Sequence, residues 1–382
     1  MSDQAGREAA AFGGIFGQEA MEAAQQAIQR MMSDFAGPVI GEDAVAAQAG
    51  LVREVSRLMA GQSELKPEPG DKRFNDPMWN ENPLFQTWMQ GYLLWSKSVD
   101  ALATAMGMDE LAVKRNRFFA NLVTDALSPT NTMLGNPAAL KKFVETGGKS
   151  TVDGLQNFLK DIVENGGMPA QVDKSAFTVG GNLAATKGSV VFRNEMFELI
   201  QYAPTTEEVY ETPVLFVPSM INKFYVLDLA PGRSMFEYAL SQGIQVFTIS
   251  WKNPTPAESE WGIDNYLEQI LNASAAVREI TGSPQVHLAA VCAAGMLTSS
   301  VLGYLATRGD KQVRSSTTIV TGIDNSAEDT KLSIFTAPDM VEMVASLSQA
   351  QGVLDGRNLS SAFTWMRPND LVWNYWVNNY LM

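Results

Sequence analysis

Gln285-Val-His-Leu-Ala-Ala-Val-Cys-Ala-Ala-Gly-Met-Leu-Thr-Ser-Ser300 is the stretch on which the fold turns. An apolar run closes on Cys292. Small residues follow, and Leu297, Val301, Leu302 and Leu305 then fall at helical spacing. That order reads as strand, sharp turn and helix, with a thiol at the bend. Cys292 is the single cysteine of 382 residues, and His287 is the single histidine. A strand rises ~3.3 Å per residue, so the two lie roughly 16 Å apart, on opposite faces. His287 is therefore not a base for Cys292.

Composition narrows the classes. Length suggests two or three domains, and a hydrophobic content of 46% is ample for a packed core. A net charge of −14 argues against nucleic-acid binding, which needs a basic surface, and suits an anionic membrane poorly. One cysteine leaves no internal disulfide and no CxxC or Cys/His metal spacing, which fits a reducing cytoplasm. The first residues have neither the basic start nor the apolar core of a signal peptide. Leu288 to Ala306 is apolar over about the ~20 residues of a membrane span. Thr298, Ser299, Ser300 and Gly303 interrupt it, and a buried strand followed by a buried helix explains it better. The 19 methionines are scattered, as adaptable core filler is, and also suit greasy ligands.

Working outward, residues 1–62 form an Ala- and Gln-rich helical extension. Met21, Ala24, Ile28, Met31 and Phe35 make a narrow apolar stripe that packs either on a partner or on its own domain. Gly61 to Asp71 is a Pro/Gly/charged linker. Residues 63–175 read as a helical domain with an aromatic cluster around Trp79, Phe85, Trp88, Tyr92 and Trp95. Gly147-Gly-Lys-Ser-Thr is not a phosphate loop, because Phe143 stands where the loop needs its first glycine and a helix precedes it. From 176 short β-rich runs alternate with helices, among them 188–192, 197–202, 214–217, 244–250, 286–291 and 317–321. Alternation of this kind implies an α/β fold with a mostly parallel sheet.

In such a fold the bend at Cys292 is a nucleophile elbow. The helix amino terminus behind it favours a thiolate and a developing oxyanion. Ala290 and Ala294 flank the thiol where the elbow pattern has glycine, and alanine is the costlier residue at positive φ. The other reading of these residues is a buried, inert cysteine on a core strand. The oxyanion would meet the backbone N–H of Ala293 and a second N–H from the loop after Val214-Leu-Phe-Val217, near Met220 and Ile221. An ordinary strand-to-helix turn is the alternative for that loop. Asp324 reads as a turn residue.

Several segments resemble one family, the polyhydroxyalkanoate (poly-3-hydroxybutyrate) synthases of class I type. They are Asp71-Lys-Arg-Phe with Trp79 and Glu81-Asn-Pro-Leu-Phe; Asp125-Ala-Leu-Ser-Pro-Thr-Asn; Glu145-Thr-Gly-Gly; and Asn182-Leu-Ala-Ala-Thr-Lys-Gly-Ser-Val-Val-Phe-Arg-Asn-Glu. Leu199-Ile-Gln-Tyr-Ala-Pro, Ile221-Asn-Lys-Phe-Tyr-Val-Leu-Asp-Leu, Ile249-Ser-Trp-Lys-Asn-Pro and Arg367-Pro-Asn-Asp-Leu-Val-Trp-Asn-Tyr complete the set. The likeness covers about 71–382. It implies a helical N-terminal domain and an α/β-hydrolase-type catalytic domain, 176–382, ending in the cap region. It implies an acyltransferase that polymerises (R)-3-hydroxyacyl-CoA through a covalent acyl group on Cys292. The coenzyme A thioester is then substrate, and neither cofactor nor metal is called for. The family's triad Asp and His would lie beyond Met382. The chain is thus expected to hold no general base or acid, to lack the last strands of the sheet, and to be inactive alone. Expected partners are hydroxyacyl-CoA, growing polyester, a second copy in a homodimer and granule-associated proteins, in the cytoplasm at a polyester granule surface. A non-catalytic synthase-like partner, bound to an intact synthase or to granules, is the alternative reading.

Overall fold

The computed structural model describes residues 50, 53–106, 109–323, 334 and 338–382. Met21 to Phe35 and Asp324 lie outside them; of the expected N-terminal extension, residues 53–59 are helical. The chain divides into two units, one of residues 1–172 and 357–382, the other of 173–356.

The first unit is helical, and its helices begin where capping chemistry says they should. Asn82 accepts from the N–H of Leu84 and Phe85, Pro83 fills the first position, and α1 runs Pro83–Ala105. Asp109 caps α2, Glu110–Ala126. Asn136 and Pro137 open α3, Pro137–Glu145, in the same manner. α4, Lys149–Glu164, starts from Gly148 at φ 87°. Phe74, Trp79, Phe85, Met89, Tyr92 and Leu93 form the core beneath α1, with edge-to-face ring pairs Phe74–Trp79 and Trp79–Phe85.

The C-terminal segment departs from expectation. Residues 357–382 fall in this helical unit, whereas the sequence reading placed all of 176–382 in the catalytic domain. The reason is a set of aromatic and polar contacts. Trp376 and Tyr380 pack edge-on against Phe158 of α4. Gly154 lets the backbone of Tyr380 approach so closely that a Cβ there would lie 2.0 Å from its carbonyl oxygen. Tyr380 Oη donates to Asp161 at 2.7 Å. Arg73 donates to Asp125 at 3.0 Å and to Asn369 Oδ1 at 3.3 Å.

The second unit is built on a six-stranded sheet. Its strands are β1 Gly188–Arg193, β2 Phe197–Tyr202, β3 Val214–Val217, β6 Val246–Trp251, β7 Val286–Val291 and β8 Val313–Ile319. β4 Asp228–Ala230 and β5 Arg233–Ser234 form a separate hairpin. The spatial order is β1-β2-β6-β3-β7-β8, with β1 and β2 antiparallel and β6, β3, β7 and β8 parallel. One face packs Leu215, Val217, Leu288 and Ala290 against α6, Ile263–Thr281, and α7, Ala293–Thr307. The other packs Phe216 and Ala289 against Phe236, Ala239 and Leu240 of α5, Met235–Ser241. Each fully buried side chain of this size contributes about 1.5–3 kcal/mol. A parallel strand covered on both faces is largely apolar, as β3 is throughout and β7 is apart from His287.

The apolar stretch 288–306 is thus shared between β7 and α7. Among the described residues no helix is long and apolar enough to cross a membrane.

Candidate active site

Chain order and spatial order part company between β3 and β7. β3 leads through α5 to β6 on one side, while β7 leads through α7 to β8 on the other. The connections leaving the carboxyl ends of these two strands therefore run to opposite sides, the kind of switch point at which parallel α/β sheets hold ligands. Val217 and Ala290 are paired neighbours across it. Cys292 follows Ala290 by two residues, and Ile221 follows Val217 by four.

Cys292 has φ 56° and ψ −127° and is the cap of α7. A non-glycine residue held there costs of order 1–3 kcal/mol, and only surrounding contacts keep it. Those contacts are on both sides. Its N–H donates to Ile319 at the end of β8 (2.9 Å), and its carbonyl accepts the Gly295 N–H (2.9 Å). Thr321 Oγ1 also donates to that carbonyl at 3.2 Å. The thiol is half-buried and unbonded to another sulfur. It stands at the strand-to-helix turn, after the last residue of β7.

Ala290 and Ala294 are fully buried on either side of the turn. The expected penalty for alanine does not arise, because the positive φ falls on Cys292 and on neither alanine. The tight fit lies instead at Gly295, where a Cβ would stand 2.2 Å from Thr321 Oγ1. Neither Gly295 nor Thr321 emerged from the sequence reading as a pair. Thr321 follows a strand of exposed polar residues, Arg314 to Thr318, that carries no alternation to mark its register.

The Ala293 N–H is the first of α7, and the first four donors of a helix have no intrahelical acceptor. Ile221 lies in a turn closed by the Asn222 N–H donating to the Ser219 carbonyl at 3.0 Å. Trp251 Nε1 donates to the Pro218 carbonyl at 2.8 Å and steadies the start of that loop. Met220 turns inward and packs on the core. The two backbone candidates thus follow the carboxyl ends of the paired strands β7 and β3. His287 sits mid-strand on β7 with Nδ1 2.7 Å from Ser315 Oγ, its registered neighbour on β8. It belongs to that cross-strand pair.

A mostly parallel sheet with a positive-φ strand-to-helix turn at its carboxyl edge is the α/β arrangement expected from the sequence. Residues 70–239 match a family described as "Poly-beta-hydroxybutyrate polymerase (PhaC) N-terminus". The chain is 45% identical over 329 residues to poly(3-hydroxyalkanoate) polymerase 1 of Ectopseudomonas oleovorans, covering 86% of this chain and 58% of that one. It is 37% identical over 346 residues to the poly(3-hydroxyalkanoate) polymerase subunit PhaC of Cupriavidus necator, covering 87% and 58%. Over most of its own length the chain is similar in sequence to poly(3-hydroxyalkanoate) polymerases, and it spans rather more than half the length of these relatives. Among solved structures, one of two fungal esterases from Rhizomucor miehei overlaps 55% of this chain and 57% of its own at 14% identity and a TM-score of 0.30, too loose a likeness to bear on function.

Proposed function

We propose that Cys292 carries the acyl group of a polyester-forming acyltransferase whose substrates are 3-hydroxyacyl-CoA thioesters. The observation that supports this most directly is the left-handed Cys292 at the amino end of α7, beside the β3–β7 switch point. The thiol first gives its proton to a base. The sequence has no histidine besides His287, which is paired with Ser315, so that base is not an imidazole of these residues.

The thiolate then attacks the thioester carbonyl. A sulfur–carbon bond forms, the carbonyl π pair moves onto oxygen, and the N–H groups of Ala293 and Ile221 hold the oxyanion. The pair returns as the bond to coenzyme A breaks, and the departing thiolate takes up the proton. An incoming hydroxyl attacks the acyl-cysteine next: a carbon–oxygen bond forms, the carbon–sulfur bond breaks, and the hydroxyl proton passes to the Cys292 sulfur, giving an ester and the free thiol. Exchange of one thioester for another is nearly balanced, which suits a thiol nucleophile. None of these steps calls on a metal or prosthetic group; coenzyme A is the leaving group. The same reading carries a homodimer, and work at a polyester granule surface with its associated proteins.

The test is release of free coenzyme A from (R)-3-hydroxybutyryl-CoA, measured for the chain alone and mixed with a full-length relative. One equivalent per chain without sustained turnover, abolished in Cys292→Ser, supports the reading. Release that persists in Cys292→Ser removes it.

A further inference from the structure

Ser219 follows Val217 on β3 by two residues, as Cys292 follows Ala290 on β7, and Val217 and Ala290 are registered neighbours. Ser219 thus lies just past the end of β3, as Cys292 lies just past the end of the adjoining parallel strand β7. It is only 3% exposed, and its Oγ is buried with no hydrogen-bond partner. A buried hydroxyl left unpaired costs about 1–3 kcal/mol, so its retention asks for an explanation. Its backbone carbonyl is already engaged by Asn222. Leu215 and Val217 share a cluster with Ala294 and Leu297 of α7's first turns. Ser219 is the first residue of the turn that holds Ile221.

We propose that the Ser219 hydroxyl is a third donor to the oxyanion formed when Cys292 is acylated, alongside the N–H groups of Ala293 and Ile221. The proposal rests on the acyl-cysteine reading above. Ser219 keeps its proton throughout: it donates a hydrogen bond as the carbonyl pair moves onto oxygen and loses that partner when the pair returns and the coenzyme A sulfur departs. A donor with no resting partner has no bond to break on reaching the transition state, which is the condition for preorganised stabilisation.

Two reagents separate this role from a structural one. Acylation of Cys292 by (R)-3-hydroxybutyryl-CoA passes through an oxyanion; alkylation by iodoacetamide does not. Ser219→Ala should slow acylation by roughly a hundredfold, the usual loss for one oxyanion donor, and leave alkylation unchanged. Its melting temperature should stay level or rise, since an unpaired buried hydroxyl is removed. Equal slowing of both reactions, or no slowing of either, overturns the proposal. Wild-type chain that is alkylated but never acylated overturns the acyl-cysteine reading itself, and this proposal with it.

Discussion

Gly295 and Thr321 fit each other at the elbow: a Cβ on Gly295 would stand 2.2 Å from the Thr321 hydroxyl, and that hydroxyl donates to the Cys292 carbonyl at 3.2 Å. The absent side chain at 295 therefore makes room for the group that anchors the strained residue.

Gly295→Ala should force Thr321 away and loosen Cys292. Overpacking of this kind costs about 1–3 kcal/mol, read by denaturant unfolding. Misplacing the sulfur should slow its acylation roughly a hundredfold. Adding Thr321→Ala restores the space, so the double variant should be more stable than the sum of the singles, with a coupling of about 0.5–3 kcal/mol. Strict additivity would mean that the two side chains do not share the site.

Glycine at 290 or 294 should not improve the elbow. Neither residue has positive φ, and both are fully buried. Ala290→Gly and Ala294→Gly should each cost about 1 kcal/mol, from a lost buried methyl and a freer unfolded chain. A rise in melting temperature for either would show that the alanines strain the turn.

Gly154→Ala should pry the C-terminal segment from α4. The obstructing atoms are the backbone of Tyr380, the nearest at 2.0 Å, so no side-chain rotation relieves the clash. Limited proteolysis should cut within 357–382 faster than in wild type, while the sheet unit's fragment persists. An unchanged cleavage pattern would argue against the packing described.

Asp161 sets an acid limit on the same unit. Burial raises its carboxyl, but hydrogen bonds from Tyr380 Oη, the Ala170 N–H and Asn165 outweigh this, and its pKa lies below the ordinary value. A folded-state pKa below the unfolded one adds stability above the unfolded value, about 3.9, and that stability drains away as pH falls through the folded value. Asp161→Asn should cost roughly 1–3 kcal/mol at neutral pH and flatten the loss of stability below about pH 4. An Asn variant with the wild-type acid profile would place the sensitive group elsewhere.

Much of this was legible in the residues, and the misses have physical causes. The apolar runs at 214–217 and 286–291 announced β3 and β7 because both are buried on two faces. β8 was read as 317–321 but runs Val313–Ile319: it borders the sheet among the described residues, and its exposed Arg314, Ser315 and Ser316 give no apolar signal. The β4–β5 hairpin was too short to register. The thiol at the bend was visible in the strand-turn-helix pattern. Its anchor on Thr321 and the unpaired Ser219 hydroxyl were not, since each depends on which neighbours long-range pairing brings close. The return of 357–382 to the helical unit depends in the same way on Trp376 and Tyr380 meeting Phe158, far away in sequence.

Intact-mass analysis with peptide mapping, after incubation with (R)-3-hydroxybutyryl-CoA, tests the assignment of Cys292 most directly. One hydroxybutyryl adduct on the peptide bearing Cys292, absent from Cys292→Ser, is the expected result. An unmodified Cys292 peptide, or an adduct carried by another residue, would contradict it.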